Sequence, residues 1–137
     1  MTELKELYER YYEKAAEVRR KAPPFAGFWG FGNDPANDAC HSDFYEAVEK
    51  WMADYSEEEP DRILEVVKFV FEAPLAHRGQ DVFGYLFAAH GLVLPLIPKL
   101  RSADCAELAQ WYNERYPRRQ RLPLQQKVWK TLKELGK

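Results

Sequence analysis

The sequence is poor in cysteine: Cys40 and Cys105 are the only two among 137 residues. Two are too few for a disulfide scaffold, and neither belongs to a C-x-x-C pair, so both are expected as reduced, buried thiols in a cytoplasmic protein. Several signatures are missing as well. There is no H-E-x-x-H, no repeated E-x-x-H, no G-x-S-x-G and no phosphate loop. Gly27, Gly30 and Gly32 are in the wrong order for a dinucleotide fingerprint and follow no strand. An excess of either charge is lacking too. A net charge of -2 and a pI near 6.0 argue against a wholly basic nucleic-acid binder and against an acidic disordered tail. The first ten residues carry charges where a signal peptide needs an apolar run, so no secretory segment is expected.

A membrane span is disfavoured as well. Val82 to Pro98 is a run of 17 residues without Asp, Glu, Lys or Arg. A span needs about 20 apolar residues, and Gly91 and Pro95 read as a helix stop followed by a helix start. The run therefore reads as a buried helix, in which His90 is expected to be a core side chain bonded to a backbone carbonyl.

What is present is a core's worth of apolar residues, 46% of the chain with 15% aromatic, on a length that suits one soluble domain spanning residues 1–137. Residues 2–20 place Leu4, Leu7, Tyr8, Tyr11, Ala15 and Val18 at steps of three and four, an amphipathic helix with Thr2 as a plausible N-cap. Pro23 and Pro24 end it. Phe25, Phe28, Trp29 and Phe31 then alternate with glycines, a loop whose rings must bury against something and a candidate partner surface. Asp34-Pro35 restarts the chain, and Ala36, Cys40, Phe44, Val48, Trp51/Met52 and Tyr55 recur at helical spacing. Ser42 is a second possible cap, so this helix starts near residue 35 or near 43.

Ser56 to Pro60 opens a helix whose residues 63–71 are apolar on most of its circumference, which makes it central. A strand is the alternative for so β-branched a run. Pro74 ends it. Asp81 is expected to cap a helix ending at His90, Pro95 to start a short one, and Ser102 to cap another that Pro117 stops. Pro123 opens the last, with Leu124, Val128, Leu132 and Leu135 inward. The similar Ala73-Pro-Leu, Leu94-Pro-Leu and Leu122-Pro-Leu tripeptides read as one start signal used three times, not as a repeat. The expected fold is all-α, about six helices in antiparallel hairpins that suit HEAT-like stacking.

The small net charge hides segregation. Residues 34–65 hold 11 acids and two bases, whereas residues 115–137 hold eight bases and one acid. Arg115, Arg118, Arg119 and Arg121 stand beside Trp111, Tyr112 and Tyr116, a candidate anion or nucleic-acid site. A solvated helix end explains the same residues. The densest polar cluster is residues 33–43, where Asp38 and His41 share a helical face. With His77 and Asp81 arriving from elsewhere they form a candidate metal or polar site. Cys40 beside His41 suggests a thiolate nucleophile, although adjacent helical residues point about 100° apart.

Weighing these features, the chain reads as a small cytoplasmic helical domain without catalytic activity or cofactor. It binds another protein through its acidic face or its aromatic loop. The alternatives are a metal-dependent or cysteine enzyme centred on Asp38, Cys40 and His41, and an anion or nucleic-acid binder using Arg115 to Arg121. A nucleic-acid partner is disfavoured and no membrane partner is expected.

Overall fold

The computed structural model describes residues 1–21 and 35–137, with side chains at 1–20 and 39–137. The described residues hold six α-helices and no strand. They are α1 (Thr2–Lys21), α2 (Pro35–Tyr55), α3 (Pro60–Glu72), α4 (Phe83–Ala88), α5 (Ser102–Arg115) and α6 (Pro123–Leu135). None of them is long and apolar enough to cross a membrane. The chain divides into two compact units, Met1–Trp51 and Met52–Lys137. The aromatic loop at Phe25, Phe28, Trp29 and Phe31 lies outside the described residues, as does the expected cap Asp34.

The first unit is a helical hairpin. The apolar spacing of α1 buries Leu4, Tyr8, Tyr11 and Val18, and α2 answers with Cys40, His41, Phe44 and Val48. Trp51 Nε1 donates to Glu3 at 3.2 Å, Tyr8 meets the Phe44 ring edge-on at 4.9 Å, and Tyr11 stacks on Phe44 at 4.0 Å. Tyr11 also meets His41. As numbers rise along α1 they fall along α2, so the two run antiparallel. Of the two starts considered for the second helix, Pro35 is the observed one. Its missing N–H is harmless at a first helical position.

The second unit is built around the uncharged run. Residues 63–71 are helical, not extended, and Ile63, Val66, Val67, Val70 and Phe71 are buried. Pro60 occupies the first turn of α3. The expected helix from Asp81 to His90 is shorter. It starts at Phe83 after an N-cap, Val82, that makes no side-chain bond. At Ala89 it tightens into a 3-10 segment, Ala89–Val93. Pro95 does not open an α-helix. With Pro98 it removes two backbone donors within four residues, and the chain continues by i→i+3 bonds such as Leu96 N–H to the Val93 carbonyl at 2.9 Å. The segment Ala89–Val93 touches α3, α4 and α6 at once, so the run sits at the centre of this unit.

Two further expectations change. Ser102 does not cap α5: Arg101 is at the N-cap and makes no cap bond. The Ser102 hydroxyl instead donates to the Leu135 carbonyl at 3.0 Å, satisfying one of the orphan carbonyls at the end of α6. On α6 the inward residues are Gln125, Val128 and Leu132, whereas Leu124 and Leu135 are exposed. The last turn lies so close to α5 that a Cβ on Gly136 would stand 2.7 Å from the Ala106 backbone nitrogen.

We expect Gly136→Ala to lower the stability of the protein by about 1–3 kcal/mol in urea denaturation, because the obstacle is backbone. A Cβ on Gly91 meets only the tip of Leu124, a flexible and exposed side chain. Gly91→Ala is expected to cost clearly less, and equal losses would show that the α5–α6 approach is not tight.

Candidate functional site

Each unit places one histidine against a tyrosine. In the first, Tyr11 Oη and His41 Nδ1 are 2.7 Å apart and buried. In the second, His90 Nδ1 and Tyr112 Oη are 2.9 Å apart, also buried. His90 thus has a phenol partner that the sequence did not suggest, while the Phe71 and Val70 carbonyls also act on its ring, in keeping with the backbone contact expected from sequence. Phe71, Phe87 and Tyr116 bring their rings within 5.0, 5.3 and 5.1 Å of the imidazole. In this dry surrounding the charged form is disfavoured, and burial pushes the His90 pKa down to about 3 against the opposing effect of the Phe71 and Val70 carbonyls. The neutral tautomer that fits has Tyr112 O–H donating to Nδ1 and the ring proton on Nε2. Nε2 itself has no partner of hydrogen-bond geometry among the described residues.

The same cluster closes the end of α3. Tyr116 O–H donates to the Phe71 carbonyl at 2.5 Å across 45 residues, and Gln125 Nε2 donates to the Phe87 carbonyl at 3.0 Å. Burial raises the phenol pKa of both Tyr112 and Tyr116. A neutral imidazole, two protonated phenols and an amide arranged this way join elements together. They expose no group that transfers protons at neutral pH.

Of the residues proposed for a metal or polar site, His41 is held by Tyr11 in the first unit. His77 and Asp81 belong to one exposed connection in the second, where His77 Nδ1 is 2.9 Å from Gln80 Oε1. The Asp38 side chain lies outside the described residues. No group of three His, Cys, Asp or Glu side chains suited to a metal is found among the described residues. Burial pushes the Cys40 thiol up, only partly offset by Lys14, and a thiol held protonated is a poor nucleophile. Cys40 borders a shallow depression of about 180 Å³ between Leu7, Arg10, Lys14 and Ala47. Cys105 is buried, with its S–H directed at the Ile97 carbonyl at 3.9 Å.

The four arginines called a candidate anion site divide into two kinds. Arg121 is fixed: Nε donates to Gln126 at 2.8 Å, and Nη1 to Asn113 and to the Tyr116 carbonyl, each at 3.0 Å. Its guanidinium lies 4.4 Å from the centre of the Trp129 ring, close enough for a cation–π contact. Arg115 leans on Trp111, and Arg78 donates to the Arg115 carbonyl at 3.1 Å. Two guanidiniums therefore serve the carbonyls at the end of α5, where positive charge is favoured. Arg118 and Arg119 are exposed on the turn Arg118–Gln120.

A feature that sequence reasoning missed is the groove between α3 and α5. It encloses about 310 Å³ and is lined by Leu64, Lys68 and Glu72 from α3 and by Asp104, Glu107, Leu108 and Trp111 from α5. Asp61 pairs with Arg101 at one end, and Phe71 meets Tyr112 towards the other, so α3 and α5 run in the same direction. The floor is apolar. The rim carries three acids against one lysine, and all three acids lie outside the acidic block 34–65. The i, i+4 spacings of Leu64, Lys68 and Glu72 and of Asp104 and Leu108 were the available signal, but pairing two such faces across 40 residues requires the fold. Comparison with family models, with curated proteins and with solved structures found no match.

His90 makes stability depend on pH. Its folded pKa lies below the ordinary 6.5, so the unfolded chain takes up the proton first. Its contribution is complete above about pH 6.5 and is lost as pH falls from there towards 3, with a limiting slope near 1.4 kcal/mol per pH unit. In urea titrations between about pH 6.5 and 5, where carboxylates remain largely ionised, His90→Gln is expected to flatten the decline. An unchanged slope would mean that the ring is protonated in the folded protein.

Proposed function

We propose that the protein is a non-catalytic helical binding module whose α3–α5 groove receives a basic, amphipathic segment of another polypeptide. The observation that carries this reading is the groove itself, with an apolar floor of Leu64, Leu108 and Trp111 under a net acidic rim of Glu72, Asp104 and Glu107 with the single cation Lys68. Apolar side chains of an incoming helix would displace water from the floor, and its Lys or Arg side chains would meet the rim. Trp111 is the anchor, since a half-buried tryptophan offers a large apolar area at low entropic cost. The rim carboxylates supply orientation and association rate more than affinity.

The reading keeps an acidic face as the interacting surface and moves it from residues 34–65 to the facing sides of α3 and α5. The enzyme alternatives gain little support by comparison. His41 is engaged by Tyr11, and the Cys40 thiol is held protonated. The anion-binding alternative is weakened where Arg121 already spends three of its five N–H groups on neutral acceptors.

A short Lys/Leu amphipathic peptide, followed by fluorescence anisotropy, tests the proposal. It should bind the protein, and Trp111→Ala should weaken it by about tenfold or more. Binding should weaken again as salt is raised beyond about 0.15 M. A Glu/Leu peptide of the same pattern should not bind. Equal binding of the two peptides, or unchanged affinity in Trp111→Ala, would overturn the proposal.

A further inference from the structure

The basic end of the second unit has the complementary composition to the groove. Arg118 and Arg119 are exposed on the turn before α6, and Leu122, 62% exposed, and Leu124 follow within the next five residues. Leu122 is the most exposed of the four large apolar side chains that the described surface presents. A folded monomer gains nothing from leaving it in water. Arg121, in the middle of the segment, is pinned by Gln126, Asn113, the Tyr116 carbonyl and Trp129. The segment is therefore presented in one shape, and little conformational entropy remains to be lost on docking. Arg118 and Arg119 make no ion pair with any described residue. The same holds for Glu72 and Glu107 on the groove rim.

We infer that the occupant of the α3–α5 groove is the Arg118–Leu124 segment of a second copy of this chain. Leu122 and Leu124 meet the Leu64, Leu108 and Trp111 floor, and Arg118 and Arg119 meet Glu72 and Glu107. The inference rests on the groove being a docking site, as proposed above, and adds its partner. Groove and segment are different surfaces of one protomer. The contact is therefore heterologous: each copy offers one free groove and one free basic end, and association propagates unless the rotation closes it. The contact is small and charge-rimmed, which places it among weak, salt-sensitive interfaces.

Complementary charge reversal on two exposed residues tests this without disturbing the core. Glu107→Arg closes the groove and leaves the basic end intact. Arg119→Glu spoils the basic end and leaves the groove intact. Sedimentation velocity of the wild type should show concentration-dependent association that disappears on raising the salt. Each variant alone should stay monomeric, with a helical circular dichroism spectrum like that of the wild type. An equimolar mixture should form a 1:1 complex and stop there, because only one groove and one basic end remain competent and they belong to different chains. A wild-type protein that stays monomeric at low salt and high concentration would overturn the inference, as would variants that associate like the wild type or a mixture that does not pair. If the Lys/Leu peptide still binds the monomeric wild type, the groove reading stands and only the second copy as its occupant is lost.

Discussion

The hydrogen bond between His90 and Tyr112 is the contact on which the second unit depends. It joins the uncharged run to α5 at a point where Phe71 from α3 and Phe87 from α4 also arrive. A histidine in this position must be neutral, and it stays so because rings rather than water surround it. The bond has consequences beyond itself. With the imidazole fixed, Tyr112 takes its place on α5 and Tyr116 at the C-terminal end of that helix. Tyr116 then reaches the Phe71 carbonyl and closes the end of α3. The positions of α3 and α5, and hence the groove between them, follow from that closure.

The charge pattern takes a different meaning once the helices are in place. Counting along the sequence separates an acidic block from a basic one. In the folded second unit the acids that stand over an apolar floor, with Lys68 beside them, are Glu72, Asp104 and Glu107, whereas the acids of the block 34–65 whose side chains are described are exposed. The arginines likewise sort by environment. Arg121 and Arg78 support the end of α5, and Arg118 and Arg119 face solvent on the turn.

Helix type, and most of helix placement, was legible because apolar spacing and proline punctuation agreed. Pro60 and Pro123 stand in the first turns of α3 and α6, and the stripe of α1 buries as its period requires. Reading failed where a local signal had a tertiary competitor. Ser102 resembles an N-cap, but its hydroxyl finds the Leu135 carbonyl, a partner 33 residues away. Leu124 and Leu135 fit a helical stripe, yet Gln125 takes the buried position because its amide reaches the Phe87 carbonyl. Proline marked a helix start at three places and not at Pro95, where Pro98 follows too soon for an α-helix to form. The groove could not be read at all, since it is a relation between two helices far apart in sequence.

The same long reach orders the unit in time as well as in space. Arg121 to Asn113 closes a loop of 8 residues, whereas Tyr116 to Phe71 closes one of 45. Closing the longer loop carries an extra entropic cost of about 1.5 kcal/mol. Loop-closure entropy therefore favours the α5–α6 hairpin as the early structure and the ring cluster as the late one. Contacts made late govern unfolding more than folding. The ring cluster then sets how long the native state lasts, and the hairpin how quickly it is reached.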